Sequence, residues 1–251
     1  YHSLNVAVMS LMLGKKAGLD TAQMHCLGMA ALLHDLGKMR IEKRILKKRE
    51  LSKAERDIVQ LHPQYGVEIV SKASGFPSES AEAIMQHHER LDGTGYPKGL
   101  EGKSMRRPAR ILAIADTYEN LCNPVDPALT MTPYQALAIM YTKLQNQLDM
   151  ELFSLFIHCL GIYPPGTFVK LSNGALAMVI SVNPANPLKP SLMLYDPAVP
   201  REQALIFDME DDSDVTVSGN LELSKVPREV MEYLNPGVRI AYYPEPALRK
   251  G

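Results

Sequence analysis

Residues 87–97 read HHERLDGTGYP, and the rest of the chain can be interpreted outward from this stretch. The apolar pattern before it predicts a helix over about residues 78–88, so the histidine pair stands at a helix end. The glycines and the proline that follow predict a turn-rich loop that closes over this end. Adjacent helical residues point about 100° apart, so His87 and His88 reach one site only near the helix end or across two metal ions. The stretch predicts a helical fold with a metal site.

Other potential ligands also lie in the helical part of the chain. His34-Asp35 ends an apolar helix that Gly37 stops, and it offers one nitrogen and one carboxylate that can bridge two metal ions. Taken alone, such a pair is more typical of a core histidine beside a capping aspartate. Asp116 lies in another apolar helix, where a carboxylate is costly unless it is ligated or paired.

Together these residues can supply two octahedral sites rich in nitrogen and oxygen. Such sites suit iron, manganese or another first-row metal better than a thiolate zinc site does. The predicted metal ligands are His2, His34, Asp35, His62, His87, His88 and Asp116.

The sequence pattern changes near residue 164. Before it, helical apolar spacing dominates, and capping boxes at Asp20-Gln23 and Ser52-Glu55 begin helices. We count roughly seven helices there. After it, short apolar runs predict strands at about 167–171, 175–180 and 191–195, with a hairpin turn at Asn173-Gly174. We therefore expect a mainly α fold, with a helical domain over residues 1–163 and a small β-rich module over 164–251.

Composition narrows the range of partners. The 251 residues carry 27 lysines and arginines against 28 aspartates and glutamates, which gives no support for a DNA or RNA polymer as partner. Three scattered cysteines fit a reducing compartment. No apolar run approaches the ~18–20 residues that span a bilayer, and no signal peptide opens the chain, so we expect a cytoplasmic protein. Because the chain begins at Tyr1 rather than Met, we expect it to be part of a longer protein.

Over about residues 1–162 the chain resembles the HD-GYP family, a branch of the HD phosphohydrolase superfamily. Four segments carry the resemblance in order and spacing: HDLGK at 34–38, HPQYG at 62–66, HHERLDGTGYP at 87–97 and RILAIAD at 110–116. The resemblance implies an HD-type helical bundle of bacterial second-messenger signalling. It also implies metal-dependent hydrolysis of cyclic di-GMP to linear pGpG, with GMP as a further product.

The resemblance also assigns roles by position. One metal ion is held by His2, His34, Asp35 and Asp116, and the other by Asp35, His62, His87 and His88. By this resemblance, the two ions, with iron or manganese as the expected metals, would lower the pKa of a bridging water, and the resulting hydroxide would attack phosphorus in line. Asp35 and Lys38 are the catalytic candidates, and Lys38 and Tyr96 are the candidate substrate contacts. A third metal needs a glutamate that would precede Tyr1, so the chain leaves that question open.

The segment after Asp116 departs from the family pattern. Many members continue with a Thr-Ser-x-Arg-Pro-Tyr-Arg/Lys-like stretch that binds substrate phosphate, whereas residues 118–133 here contain no arginine or lysine. Losing a bidentate phosphate contact weakens binding and changes preference.

Two alternative functions therefore stay open. One is a low-activity cyclic di-GMP receptor or interaction module. It would bind a signalling protein through the GYP loop, the turn that contains Gly95, Tyr96 and Pro97. The other is a phosphohydrolase that prefers pGpG or another nucleotide. A homodimer stays open as well.

Overall fold

The computed structural model describes residues 1–161, 163–183, 185–186, 188–211, 214–222 and 225–234. They form two compact units, each considered by itself below. The first contains Tyr1–Asn120 and Lys143–Phe153, and the second contains Leu121–Thr142 and the described residues from Ser154 onward. The predicted mainly α fold with a small C-terminal β module is confirmed, and the module contains an antiparallel sheet. The predicted domain boundary after residue 163 stays a prediction, and the end of the predicted β module, residues 235–251, lies outside the described residues.

Helices make up most of the described chain before residue 161. Their bounds are α1 His2–Lys16, α2 Thr21–Leu33, α3 Lys43–Leu46, α4 Lys53–Val59, α5 His62–Val70, α6 Ser78–Gln86, α7 Arg107–Cys122, α8 Pro133–Lys143 and α9 Met150–Leu160. A 3-10 helix, Leu36–Arg40, follows α2. The prediction of roughly seven helices lacks α3 and α5; α3 has only four residues, too few for a periodic signal, and α5 has nine.

Local capping explains where two of these helices begin. The carboxylate of Asp20 accepts a hydrogen bond from the backbone N–H of Gln23 at 2.8 Å, and the Gln23 side chain accepts one from the N–H of Asp20 at 3.1 Å. Ser52 and Glu55 form the same reciprocal pair at the start of α4. Both predicted capping boxes are confirmed, and each satisfies N–H groups that a helix start leaves without an intrahelical partner.

The core of the first unit is formed by α1, α2 and α7. Val6, Met9 and Leu13 of α1 are fully buried, as are Leu27 of α2 and Ile114 of α7. Gly14 allows the close approach of α2 to α1, because a Cβ there would lie 2.8 Å from Cδ2 of Leu27. His34 at the end of α2 and Asp116 in α7 meet in this unit, with Nε2 and Oδ1 3.5 Å apart, and the other candidate ligands lie around them.

The second unit contains a five-stranded antiparallel sheet in the order β4-β3-β2-β1-β5. The strands are β1 Phe168–Leu171, β2 Leu176–Ser181, β3 Ser191–Leu194, β4 Ile206–Asp208 and β5 Val217–Asn220. Asn173 accepts a hydrogen bond from the N–H of Ala175 at 3.0 Å in the predicted hairpin turn, and Gly174 has a φ of 87°. Helix α10, Arg228–Leu234, packs through Val230 and Leu234 against Phe168.

Two strands of the sheet were not predicted. β4 has three residues and β5 has four, too few for alternation to mark them as strands, and neither contains a buried residue. Among the described residues, we find no helix with the length and apolarity needed to cross a bilayer.

Candidate metal centre

All seven predicted metal ligands lie close together in the first unit. His2 is the first residue of α1, His34 and His87 stand at the ends of α2 and α6, and His62 is the first residue of α5. Two groups offer ligand atoms that all lie within 4.8 Å of one another: Asp35 with His62, His87 and His88, and Asp35 with His2 and His34. Asp35 belongs to both groups.

Asp116 reaches both groups from helix α7. Its Oδ1 lies 3.2 Å from Nε2 of His2 and 3.5 Å from Nε2 of His34, and its Oδ2 lies 3.7 Å from Nδ1 of His88. The side chain of Asn120, one turn further along α7, donates to the same Oδ1 at 2.9 Å. The carboxylate is therefore held in place from its own helix.

Three histidines are oriented by the backbone of the helix end beside them. In each, Nδ1 donates to the carbonyl oxygen three residues earlier, at 2.8 Å for His34 to Ala31, 2.8 Å for His62 to Val59 and 2.6 Å for His87 to Ile84. Because Nδ1 carries the proton, the lone pair of Nε2 is available to a ligand. A hydrogen bond of this kind to the far ring nitrogen is the usual support of a metal-binding histidine.

The ring nitrogens opposite these hydrogen bonds converge in pairs. Nε2 of His62 lies 3.2 Å from Nε2 of His87, and Nε2 of His2 lies 3.1 Å from Nε2 of His34. Metal–nitrogen bonds of about 2.1 Å at roughly right angles place two ligands about 3 Å apart. Within the described residues, the buried Oδ1 of Asp35 accepts no hydrogen bond. The residues therefore fit a divalent metal ion.

The electrostatics of the cluster also suit a cation. Burial lowers the pKa of His87 to about 3 and holds that of His88 well below its usual value, so both rings are neutral near pH 7. Burial opposes protonation of His2 as well, but hydrogen bonds to Asp116 and Glu119 outweigh it and raise its pKa to about 10. A metal-binding imidazole must be neutral, so a bound cation takes the place of that proton.

Lys38, the predicted catalytic cation, lies beside the shared carboxylate. Its Nζ donates to Oδ2 of Asp35 at 2.6 Å, and its side chain is 36% exposed. It reaches Asp35 from the 3-10 helix that follows α2, one turn after His34. The ammonium group is therefore next to the cluster while still open to an anionic ligand from solvent.

The loop after the histidine pair is anchored by Glu89, whose role the sequence analysis missed. Glu89 is fully buried, and its two oxygens accept hydrogen bonds from the backbone N–H of Lys98 at 2.7 Å and of Leu100 at 2.9 Å. Tyr96 in this loop stacks against His88 with ring centroids 4.7 Å apart. The only sequence signal was a glutamate placed between buried histidines and a glycine-rich turn.

Glu119 is a second residue that the sequence analysis missed. Its Oε2 accepts a hydrogen bond from Nδ1 of His2, and its Oε1 accepts one from the Asn5 side chain at 3.2 Å. Glu119 stands three residues after Asp116 on α7, so it shares the helix face of a predicted ligand. That spacing, together with the cost of a carboxylate in an apolar helix, was the available signal. His25, predicted to lie away from the site, is exposed on α2 and belongs to neither ligand group.

A family model described as HD domain matches residues 2–152. HD domains bind divalent metal ions, and the His/Asp cluster offers the donors to hold one. A cyclic di-GMP phosphodiesterase from Pseudomonas aeruginosa is 30% identical over 195 residues, which cover 77% of this chain and 47% of that protein. A 3'3'-cGAMP-specific phosphodiesterase from Vibrio cholerae is 36% identical over 164 residues, which cover 65% of this chain and 35% of that protein.

A third relative, the cyclic di-GMP phosphodiesterase response regulator RpfG from Xanthomonas campestris, is 36% identical over 136 residues, covering 53% of this chain and 35% of that protein. The chain thus spans between about a third and a half of the length of these relatives. A solved HDG"Y"P protein from Bdellovibrio bacteriovorus shares the fold, with a TM-score of 0.53 at 23% identity, over 62% of this chain and 50% of that one. The chain belongs to the HD domain family, and its predicted place in the HD-GYP branch is confirmed.

Proposed function

We propose that this chain is a metal-dependent phosphodiesterase that hydrolyses cyclic di-GMP to pGpG and onward to GMP. The observation that carries the proposal is the position of Asp35, which belongs to both groups of converging ligand atoms. A carboxylate shared in this way suits a centre of two ions. Ions bound there supply a water of lowered pKa and neutralise phosphate charge.

The residues of the chain have separate tasks in the proposed reaction. His62 and His87 hold their Nε2 atoms toward one position, where Asp35 supplies negative charge. Asp116 supplies negative charge beside His2 and His34. Lys38 meets a phosphate oxygen as negative charge develops on it. To do so, its ammonium group exchanges part of its contact with Asp35 for the substrate.

Tyr96 gives the proposed substrate site one of its walls. Its ring packs against His88 and lies 6.2 Å from the ring of His62. Burial raises the pKa of its hydroxyl above the usual value, so the side chain stays neutral and can donate to a phosphate oxygen. The anchoring by Glu89 keeps this wall in place before substrate arrives.

Cyclic di-GMP is the first choice of substrate because two of the relatives described above are named for it. Hydrolysis of 3'3'-cGAMP is a second candidate, favoured by the Vibrio cholerae relative. A preference for linear pGpG is favoured by the absence of arginine and lysine from residues 118–133. We propose iron or manganese as the metal, because the donors are imidazole and carboxylate.

We propose the bacterial cytoplasm as the location of this activity, because the proposed substrate is an intracellular cyclic dinucleotide. A signalling protein that docks on the GYP loop and a homodimer both stay predictions.

The proposal is tested by hydrolysis assays on anaerobically purified protein. Cyclic di-GMP, 3'3'-cGAMP and pGpG are supplied separately, and the iron and manganese content of the same sample is counted. Asp35→Ala is the test variant. Asp57→Ala, which removes an exposed carboxylate from α4, is the matched control.

We expect metal-dependent cleavage of cyclic di-GMP in the wild-type and Asp57→Ala proteins, and loss of both metal and activity in Asp35→Ala. Normal hydrolysis by Asp35→Ala would contradict the mechanism. Cleavage of pGpG alone would identify pGpG, rather than cyclic di-GMP, as the substrate. Bound metal without any turnover, across several metals, would favour the receptor alternative.

A further inference from the structure

His2 differs from the other oriented histidines in how its ring is held. His34, His62 and His87 donate from Nδ1 to a backbone carbonyl at a helix end. His2, the first residue of α1, donates instead to the carboxylate of Glu119. The orientation of His2 therefore depends on a side chain 117 residues away in the sequence.

Glu119 is itself held where it meets His2. It is 1% exposed and lies in the last turn of the ligand-bearing helix α7. Asn5, also buried, donates to its second oxygen at 3.2 Å. Asn5 lies one turn after His2 on α1, so one helix supplies both the ring and the amide that bracket the carboxylate.

From this arrangement we propose that Glu119 is the positioning residue of His2 and sets the affinity of one of the two metal positions, the one that uses His2 and His34. The inference rests on the metal centre proposed above. A carboxylate that accepts from Nδ1 fixes the tautomer with its lone pair on Nε2, and it makes Nε2 a stronger donor. Nε2 of His2 lies 3.1 Å from Nε2 of His34 and 3.2 Å from Oδ1 of Asp116.

The two metal positions should therefore respond differently to a change at Glu119. The group of Asp35, His62, His87 and His88 does not contain His2, the candidate ligand that Glu119 contacts. Loss of the negative charge of Glu119 should weaken metal binding only in the group that contains His2 and His34. Loss of such an outer partner typically costs roughly 10–100-fold in metal affinity.

The test is a titration of the protein with Mn²⁺, in which free Mn²⁺ is followed by electron paramagnetic resonance. Glu119→Gln removes the charge and keeps the shape of the side chain. Glu89→Gln is the matched control, because it makes the same change in a buried glutamate that anchors a loop instead of a ligand. Asn5→Ala is a milder variant that leaves His2 and Glu119 in place, and it serves if Glu119→Gln does not fold.

We expect two Mn²⁺ ions in the wild-type and Glu89→Gln proteins. In Glu119→Gln one ion should stay tight while the other weakens roughly 10–100-fold, as it should also in His2→Ala. Asn5→Ala should weaken the same ion by a smaller factor. Two tight ions in Glu119→Gln, or equal weakening of both in a folded protein, would overturn the role of Glu119. A wild-type stoichiometry other than two would instead contradict the proposed centre.

Discussion

Gly37 lies so close to His62 that a Cβ at position 37 would be 1.9 Å from the carbonyl oxygen of His62. The same Cβ would be 2.5 Å from the backbone nitrogen of Gly66. Both neighbours are backbone atoms of α5, so they can make room only if the helix moves. This contact seats the turn that carries Asp35 and Lys38 directly on the helix that begins at His62.

Gly37→Ala should therefore destabilise the protein and disturb the metal centre together. Overpacking of this kind costs about 1–3 kcal/mol or more in the free energy of unfolding, which a urea titration measures. Gly28→Ala on α2 is the control, because the nearest atom to its Cβ is Cδ2 of Leu11 at 3.4 Å. That control should be neutral or stabilising by up to about 1 kcal/mol. A Gly37→Ala protein of wild-type stability would show that the turn can shift away from α5.

Removal of the cation beside the cluster should separate catalysis from metal binding. Lys38→Met should keep the metal content and lower kcat by roughly 100-fold, since the side chain acts on charge that develops in the transition state. Steady-state kinetics with counted metal test this, with Lys43→Met on the exposed side of α3 as control. A Lys38→Met enzyme with wild-type kcat would show that Lys38 has no catalytic role and only contacts Asp35.

Asp35 should be needed for the binding of both metal ions, whereas His87 should be needed for the binding of only one. Asp35→Asn should bring the metal stoichiometry close to zero, because the residue belongs to both ligand groups. His87→Ala should leave one ion, in the group that contains His2 and His34. Metal analysis after gel filtration distinguishes the two variants. Equal stoichiometry in both would mean that the ligands form one site.

Glu89, which anchors the GYP loop, should affect substrate binding through Tyr96, which that loop carries. Glu89→Gln leaves one backbone N–H, of Lys98 or Leu100, without its carboxylate acceptor, at a cost of about 1–3 kcal/mol in stability. We expect KM for the cyclic dinucleotide to rise while the metal content is unchanged. In a double-mutant cycle with Tyr96→Ala, the effects on KM should be far from additive. Additive effects would show that Glu89 and Tyr96 act independently.

Features that depend on local chemistry could be predicted from the sequence. The capping box of Asp20 and Gln23 involves residues three apart, so short-range reasoning was enough. The hairpin at Asn173 was predicted for the same reason, because its turn needs a glycine at a positive φ. The convergence of the seven ligand candidates was anticipated through their spacing, which a family resemblance made interpretable.

Features that depend on distant contacts could not be predicted in this way. The partner of His2 is Glu119, and nothing near either residue in the sequence indicates the other. The hydrogen bond from Lys38 to Asp35, in contrast, joins residues only three apart, and the sequence analysis did not predict it because it assigned Lys38 to an anionic substrate. Strand β4 exposes Ile206 and pairs through its backbone with β3, so its side chains carry no pattern.

The hydrogen bonds from histidine Nδ1 to helix carbonyls have a consequence for the order of binding. Ala31, Val59 and Ile84 belong to the final turns of α2, α4 and α6, so three helix C-termini meet at the cluster. Each end carries a partial negative charge from the helix macrodipole, equivalent to roughly half an elementary charge. These carbonyl ends add to the full negative charges of Asp35 and Asp116 and attract a cation, whereas the amino ends of α1 and α5, at His2 and His62, carry the opposite partial charge. Substrate should bind only after the metal ions have reversed the sign of the local field.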